Sequence, residues 1–294
     1  MANRRVLVKR RKSVRNIRKI TRTMQLIATA RFQAAFNRAV ATKPYTEKLA
    51  ELVADLSRAA GNVEHPLLQT HDDVKASALV VITSDRGLAG GYNSNVLRSA
   101  VGHIEEQRGR GVAPRVHMVG RKGINFFKFL RREVAEQTTG LGDKPRFEQI
   151  EPIANDLMER FMRGEIASAH VAYMRFHSAG VQRPAVVQLL PLSPEQQPKQ
   201  GDTKEEARPV EYEFSPDPKQ LLDELLPATV RARLFQAFND AIVSEQVARM
   251  VAMKAATDAA GDMIKALTRE YNRARQTQIT MELLDIVGGA NALS

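Results

Sequence analysis

Apolar residues recur at three- and four-residue steps through Val14, Ile17, Ile20, Met24 and Ile27, and less cleanly through Ala28, Phe32, Ala35 and Ala39. That period is helical. No Gly precedes Gly61, and the one Pro, Pro44, can open a new helical stretch where Thr42 or Lys43 closes the previous one. The pattern predicts helix over 1–60. Over 74–192 the pattern changes. Ala78–Thr83 is a continuous apolar run rich in β-branched residues, read as a buried strand. A Gly-rich turn follows, then a helix over about 93–107, a strand over 115–119 and a helix over about 122–131. A short strand is expected near 134–137, a helix over about 150–162, and two strands over 169–177 and 184–192 joined at Ser178-Ala179-Gly180. Strand–helix alternation predicts a largely parallel sheet, with the last two strands as a hairpin at one edge. Segment 193–218 is polar and holds five Pro residues, which marks a linker. Helix is expected again over 219–288, restarting at Pro227, interrupted only by Gly261 and stopped by Gly288-Gly289.

In the C-terminal helix, Val230, Leu234, Ala237, Ala241, Ser244, Ala248, Val251 and Ala255 fall on one heptad-like seam of mostly small residues. About 60 residues of helix span roughly 90 Å, more than a small α/β domain covers. The N-terminal helix is the other segment of comparable length. With the α/β domain between them in sequence, antiparallel pairing is the simplest closure. The alternative, two shorter helices folded onto the sheet, lacks a strong central Gly/Pro break in either segment. The fold class expected is α/β: a long antiparallel coiled coil of the terminal helices plus a central α/β (Rossmann-like) domain.

Charge adds the next constraint. The first 43 residues hold thirteen Lys or Arg and no acid, while the whole chain carries +11, so the remainder sums to about −2. With no Cys, disulfides and thiolate metal sites are excluded. The basic N-terminus lacks the apolar core of a signal peptide, though an Arg-rich start also suits an organelle transit peptide. No apolar run approaches the roughly 20 residues needed to span a bilayer.

Three stretches resemble the gamma subunit of F-type ATP synthases. Lys19-Ile20-Thr21-Arg22-Thr23-Met24 with Ile27-Ala28-Thr29-Ala30-Arg31 is similar to the family's N-terminal signature. Thr83-Ser84-Asp85-Arg86-Gly87-Leu88-Ala89-Gly90-Gly91-Tyr92-Asn93 is similar to its Gly-rich turn. Ser244 to Asp258, Tyr271 to Gln276 and Ile279 to Leu283 resemble its C-terminal stretch. The resemblance implies a non-catalytic rotor shaft without cofactor or metal. Its partners would be three alpha and three beta subunits, epsilon and the membrane c-ring. Its place would be peripheral, on the cytoplasmic face of a bacterial inner membrane. By the same resemblance, Met24, Arg249, Gln276, Thr280 and Glu282 would contact beta or serve coupling. Asp85, Arg86, Gly87, Gly90 and Gly91 would form a structural turn. The basic arm would face an acidic segment of the beta lobes. The chain departs from the family at Ala89, where many members have Cys, and in lacking the Cys-containing insert of chloroplast members. Its extreme N-terminus is also more basic.

Other chemistries fit less well. Gly87–Gly91 sits where a phosphate loop would, but matches neither G-x-G-x-x-G nor G-x-x-x-x-G-K-[ST]. A tight strand-to-helix turn is the plainer reading, with Asp85 and Arg86 as cap or ion pair. The six His show no i, i+4 pair, and no Ser-His-Asp set is linked by sequence. Nucleic-acid binding is the alternative function that the basic arm suggests, although the arm offers little aromatic surface, Phe32 included, for stacking.

Overall fold

The computed structural model describes residues 4–59, 65–71, 73–192 and 218–292. Its elements are α1 (Arg4–Ala59), β1 (Ala76–Ile82), α2 (Tyr92–Gly109), β2 (Ala113–Val119), α3 (Arg121–Phe129), β3 (Glu136–Thr138), α4 (Phe147–Met162), β4 (Ser168–Ser178), β5 (Val181–Leu190) and α5 (Pro218–Ala292). The expected linker, Pro218 apart, and the expected cap Asp217 lie outside the described residues. The chain divides into two compact units, Arg31–Ala248 and the flanking segments up to Ala30 and from Arg249 onward.

In the larger unit the sheet order is β3-β2-β1-β4-β5. β1 pairs parallel with β2 and β4, β2 parallel with β3, and β5 antiparallel with β4. The β4–β5 hairpin therefore closes one edge, as the alternation predicted. Six of the seven β1 residues are buried, because helices cover both faces of the sheet. Leu79 and Val81 pack under α2 and α3 with Val96, Ile104 and Phe127. Ala78, Val80 and Ile82 pack under α4 with Ile153, Leu157 and Phe161, and the same core takes Leu56 of α1 and Leu222 to Ala241 of α5.

That core explains why Pro227 does not restart the helix. Leu222, Leu226, Val230 and Leu234 are fully buried on both sides of it, so packing holds a single helical stripe across the proline. Pro44 is likewise absorbed within α1. The carbonyl it leaves without a helical donor belongs to Val40, an exposed residue that water reaches. At the other end, α5 continues through Gly288-Gly289 to Ala292 rather than stopping at 288. Glycine permits a left-handed cap but does not impose one.

The two long helices run antiparallel in both units. Within the larger one, Ala35 and Ala39 of α1 pack with Ile242 and Val243 of α5, and Thr42 donates to Gln236 at 2.9 Å. Within the smaller one, Thr257 donates to Thr21 at 2.8 Å, the Arg18 guanidinium lies 3.9 Å from where a Cβ on Gly261 would stand, and Arg11 stacks 4.9 Å over Tyr271. Rising numbers on one helix thus meet falling numbers on the other.

The seam differs from the one expected. Ile17, Ile20 and Ile27 face outward at 51%, 60% and 47% exposure, while Leu7, Val14, Thr21, Met24 and Ala28 turn inward. Small Thr and Ala side chains let the backbones approach, and branched Ile would hold them apart. On α5 the stripe from Val230 to Ser244 is the face covered by the sheet. The α1-facing stripe is offset around the helix, so Val251 and Ala255 are exposed while Met253, Thr257 and Ala260 are buried.

Two buried ionisable groups oppose each other in pH. Burial pushes His170 down to about 4, helped by His103, whose ring lies 4.6 Å away. Burial pushes Asp240 up to about 6, against hydrogen bonds from Gln236 and the Phe176 amide and the charges of Arg175 and Lys43. A depressed His gives stability that is present above its unfolded pKa and lost as pH falls through the folded one. A raised Asp does the reverse, stabilising progressively as pH falls from about 6. We therefore expect acid unfolding between about pH 6.5 and 4 to be shallow in the wild type. Asp240→Asn should steepen it. His170→Gln should remove a loss of the order of 3 kcal/mol. Urea melts across this window check both signs.

Candidate functional site

β1 ends at Ile82 and the chain turns through Thr83–Gly91 into α2. The turn is a closed polar knot. The Thr83 hydroxyl donates to the Val119 carbonyl at 2.7 Å and accepts the Gly123 amide at 3.0 Å. Asn93 Oδ1 accepts the Ser84 amide at 2.9 Å, and Asn93 Nδ2 donates to the Ser84 hydroxyl at 2.8 Å. Asp85 accepts the Arg121 amide at 3.1 Å on one oxygen and the Gly140 amide at 3.0 Å on the other. Thr83, Ser84 and Asp85 thereby join the ends of β1, β2 and β3. Gly90 supplies a left-handed φ of +54° and Leu88 takes another at +64°.

These bonds decide what the turn can do chemically. A helix N-terminus at the carboxyl end of parallel strands is where α/β folds receive phosphate. Here the first amides of α3 are occupied. Arg121 donates to Asp85, Lys122 to the Ser84 carbonyl at 3.1 Å, and Gly123 to Thr83. The Asp85 carboxylate stands in the place of a phosphate. A cavity of about 350 Å³ does lie beside it, lined by Tyr92, Thr138, Gly140, Asp143, Ile242 and Glu245 among others. Among the described residues no group of three His, Asp or Glu could hold a metal ion.

The residues expected to meet a partner are spread along one helix pair. Met24 is half-buried and turned inward. Arg249 is buried at 7% exposure, with a partner inside the chain. Gln276, Thr280 and Glu282 are exposed, with the Thr280 hydroxyl donating to the Gln276 carbonyl at 3.0 Å and Gln278 donating to Glu282 at 2.8 Å. Arg249 and Gln276 stand about 40 Å apart along α5 and cannot form one site. Asp85, Arg86, Gly87, Gly90 and Gly91 do come together in the turn.

Two features escaped the sequence reading. Gly120 and Gly123 set the approach of α3 to the sheet. A Cβ on Gly120, at φ +92°, would stand 2.2 Å from the Thr83 carbonyl oxygen, and one on Gly123 would stand 2.3 Å from the Met118 sulfur. The Gly-Arg-Lys-Gly spacing after a strand was the available signal. The second is a half-buried chain of polar groups at the β3 edge. Thr138 Oγ1 lies 2.8 Å from His117 Nε2, and His117 Nδ1 lies 3.1 Å from Glu136, which also pairs with Arg160. Burial lowers the His117 pKa, with Glu136 opposing. The order imitates a nucleophile–base–acid relay, but Arg160 engages the carboxylate and passes on to Asp156 at 3.0 Å. The network's evident role is to fasten α4 to the sheet edge.

Asp85→Ala should cost about 1–3 kcal/mol, because two amides lose a charged acceptor. Tens of millimolar phosphate should recover part of the lost Tm in Asp85→Ala and raise the wild-type Tm little. Equal phosphate responses in the two proteins would show that the carboxylate does not fill an anion site.

Residues 3–293 match the family model described as ATP synthase. The chain is 43% identical to the ATP synthase gamma chain of Rhodopirellula baltica, over 100% of this chain and 99% of that one. It is 42% identical to the ATP synthase gamma chain of Leptospira biflexa serovar Patoc, over 100% of both. Among solved structures it resembles a chain of the Euglena gracilis mitochondrial ATP synthase OSCP/F1/c-ring, rotational state 3. There the TM-score is 0.66 at 17% identity, covering 99% of this chain and 94% of that one. A chain from the rotor of the same synthase in rotational state 1 gives a TM-score of 0.62 at 17% identity, covering 94% and 98%. At that identity the two structures speak for the fold alone, whereas the gamma chain relatives agree over the full length, so the chain belongs to the ATP synthase gamma chain family.

Proposed function

We propose that the chain is the central rotor shaft of an F-type ATP synthase and is not itself catalytic. One observation carries this reading. In the smaller unit the helix pair leaves large apolar side chains uncovered, among them Ile17, Ile20, Leu26, Ile279, Leu284 and Ile286, on helices that also carry cations. A soluble surface of that kind marks an interaction site. A smooth apolar sleeve of alpha and beta subunits would cover it without fixing one angular position. Cations of the first 43 residues would face acidic beta lobes through exposed ion pairs worth about 0–1 kcal/mol each, weak enough to break on every turn. Because the chain has no three-fold symmetry, it would offer each beta subunit a different contact, and so bias three conformational equilibria differently.

In this reading the helices of 1–60 and 219–288 form the shaft, 74–192 the foot against epsilon and the c-ring, and 193–218 a linker. Met24, Arg249, Gln276, Thr280 and Glu282 meet beta at successive heights. The chain would sit peripherally on the cytoplasmic face of a bacterial inner membrane. Among the described residues no helix is long and apolar enough to cross a membrane. The nucleic-acid alternative finds little free aromatic surface in the arm. Phe32 is half-buried and packs 5.8 Å from Phe36 and 6.4 Å from Phe176, so the ring is engaged within the chain.

Reconstitution with alpha and beta subunits should yield a complex with ATPase activity. Recovery of nucleic acid without those subunits from native extracts would sink the reading. In the complete synthase, Gln276→Ala should lower coupled ATP synthesis roughly tenfold, as loss of one partner hydrogen bond worth about 1.4 kcal/mol requires. Arg249→Ala should do the same, with a lower Tm as well because the side chain is buried. Synthesis at the wild-type rate in both variants would remove these residues from the contact.

A further inference from the structure

The loop between β3 and α4 carries a residue that gathers both long helices. The Asp143 carboxylate accepts a hydrogen bond from the Arg31 guanidinium of α1, and from Gln246 Nε2 of α5 at 2.9 Å. The Asp143 carbonyl accepts Arg38 Nη2 of α1 at 2.7 Å. Three donors from two helices thus converge on one loop residue. Gln246 is fully buried and its Oε1 has no hydrogen-bond partner among the described residues, so the bond to Asp143 is what positions its amide.

Other polar links between helix and domain each hold one helix. Arg231 of α5 donates to Asn155 of α4 at 2.8 Å, and Ser244 of α5 donates to the Met174 carbonyl at 3.1 Å. Asp240 of α5 accepts the Phe176 amide of β4, and the remaining α5–sheet contact is largely apolar, from Leu222 to Phe238. Apolar burial resists separation but is non-directional. It opposes twisting of a smooth helix against its bed only weakly. Charge-assisted hydrogen bonds are directional and strong. Asp143 is therefore placed to resist the one motion that the apolar bed tolerates.

We propose that Asp143 is a positioning residue for energy coupling, locking the base of both helices to the α/β domain so that torque passes between them without slip. The proposal rests on the rotor reading above. It concerns loaded rotation only, since unloaded turnover demands little of the lock.

The test uses the complete synthase in proteoliposomes with Asp143→Ala. ATP synthesis driven by a proton gradient should fall about fivefold or more, as loss of a charge-assisted contact implies. Unloaded ATP hydrolysis should stay within about twofold of wild type, because the barrier to chemistry is untouched. The exchanged pair Arg31→Asp with Asp143→Arg, which rebuilds the ion pair, should recover at least half of the lost synthesis. Single-molecule torsional compliance between shaft and foot should rise in Asp143→Ala and fall back in the exchanged pair. Wild-type synthesis in Asp143→Ala overturns the proposal. So does a parallel fall of synthesis, hydrolysis and Tm, which marks a merely structural residue, and so does failure of the exchanged pair to recover synthesis. Failure of the wild-type chain to support synthesis in the same assembly overturns the rotor reading itself.

Discussion

Close approach of α1 and α5 along small side chains is the constraint from which the remaining surface follows. Ala35 and Ala39 meet Ile242 and Val243 in one unit, and Thr21 meets Thr257 in the other. Once Thr and Ala occupy the seam, the larger Ile17, Ile20 and Ile27 have no inward place and turn to solvent. The apolar content that suggests an internal core is thus displaced outward, where it needs a second protein. Packing density inside the pair and stickiness outside it are two results of one choice of residues.

The α/β domain shows the same economy in polar groups. Its topology places a helix N-terminus where related architectures bind phosphate. Asp85 fills that place from within, tying β1 to the amides of Arg121 and Gly140. Thr83 and Ser84 take the next two amides of α3. The α3 donors that a phosphate would use are thereby spent internally. Fold and function part company at the level of individual hydrogen bonds.

Local signals were legible in sequence, and long-range ones were not. The run Ala78–Thr83 declared its strand because both its faces are covered, and the edge hairpin followed from Ser178-Ala179-Gly180. Propensity misled at Pro44, Pro227 and Gly288-Gly289, where helices continue. Packing overrides the break at Pro227, and solvent tolerates it at Pro44. The heptad seam expected to meet α1 is buried to Ser244, but under the sheet, and beyond Ser244 it is out of phase with the α1-facing stripe. A stripe covered by a sheet and a stripe covered by a helix look alike in hydropathy, and Val251 and Ala255, which continue the former, are exposed. The turn 83–93 was recognisable, but its partners at 119–123 and 140 lie too far along the chain for spacing to reveal. Asp143 was invisible for that reason. A lone Asp between Gly142 and Lys144 gives no hint that residues 31, 38 and 246 converge on it.

Strong and weak contacts are divided between inside and outside, and that division is what a shaft requires. Inside, directional bonds at Thr21–Thr257, Thr42–Gln236 and Asp143 hold register. Outside, apolar area and exposed cations attract without specifying an angle. A surface with strong directional bonds to its sleeve would stop at one orientation. An interior without them would twist and dissipate the applied work. Transmission therefore depends on the difference in stiffness between the two sets of contacts, more than on the strength of either. That difference lies in whether each polar side chain finds its partner within this chain or beyond it.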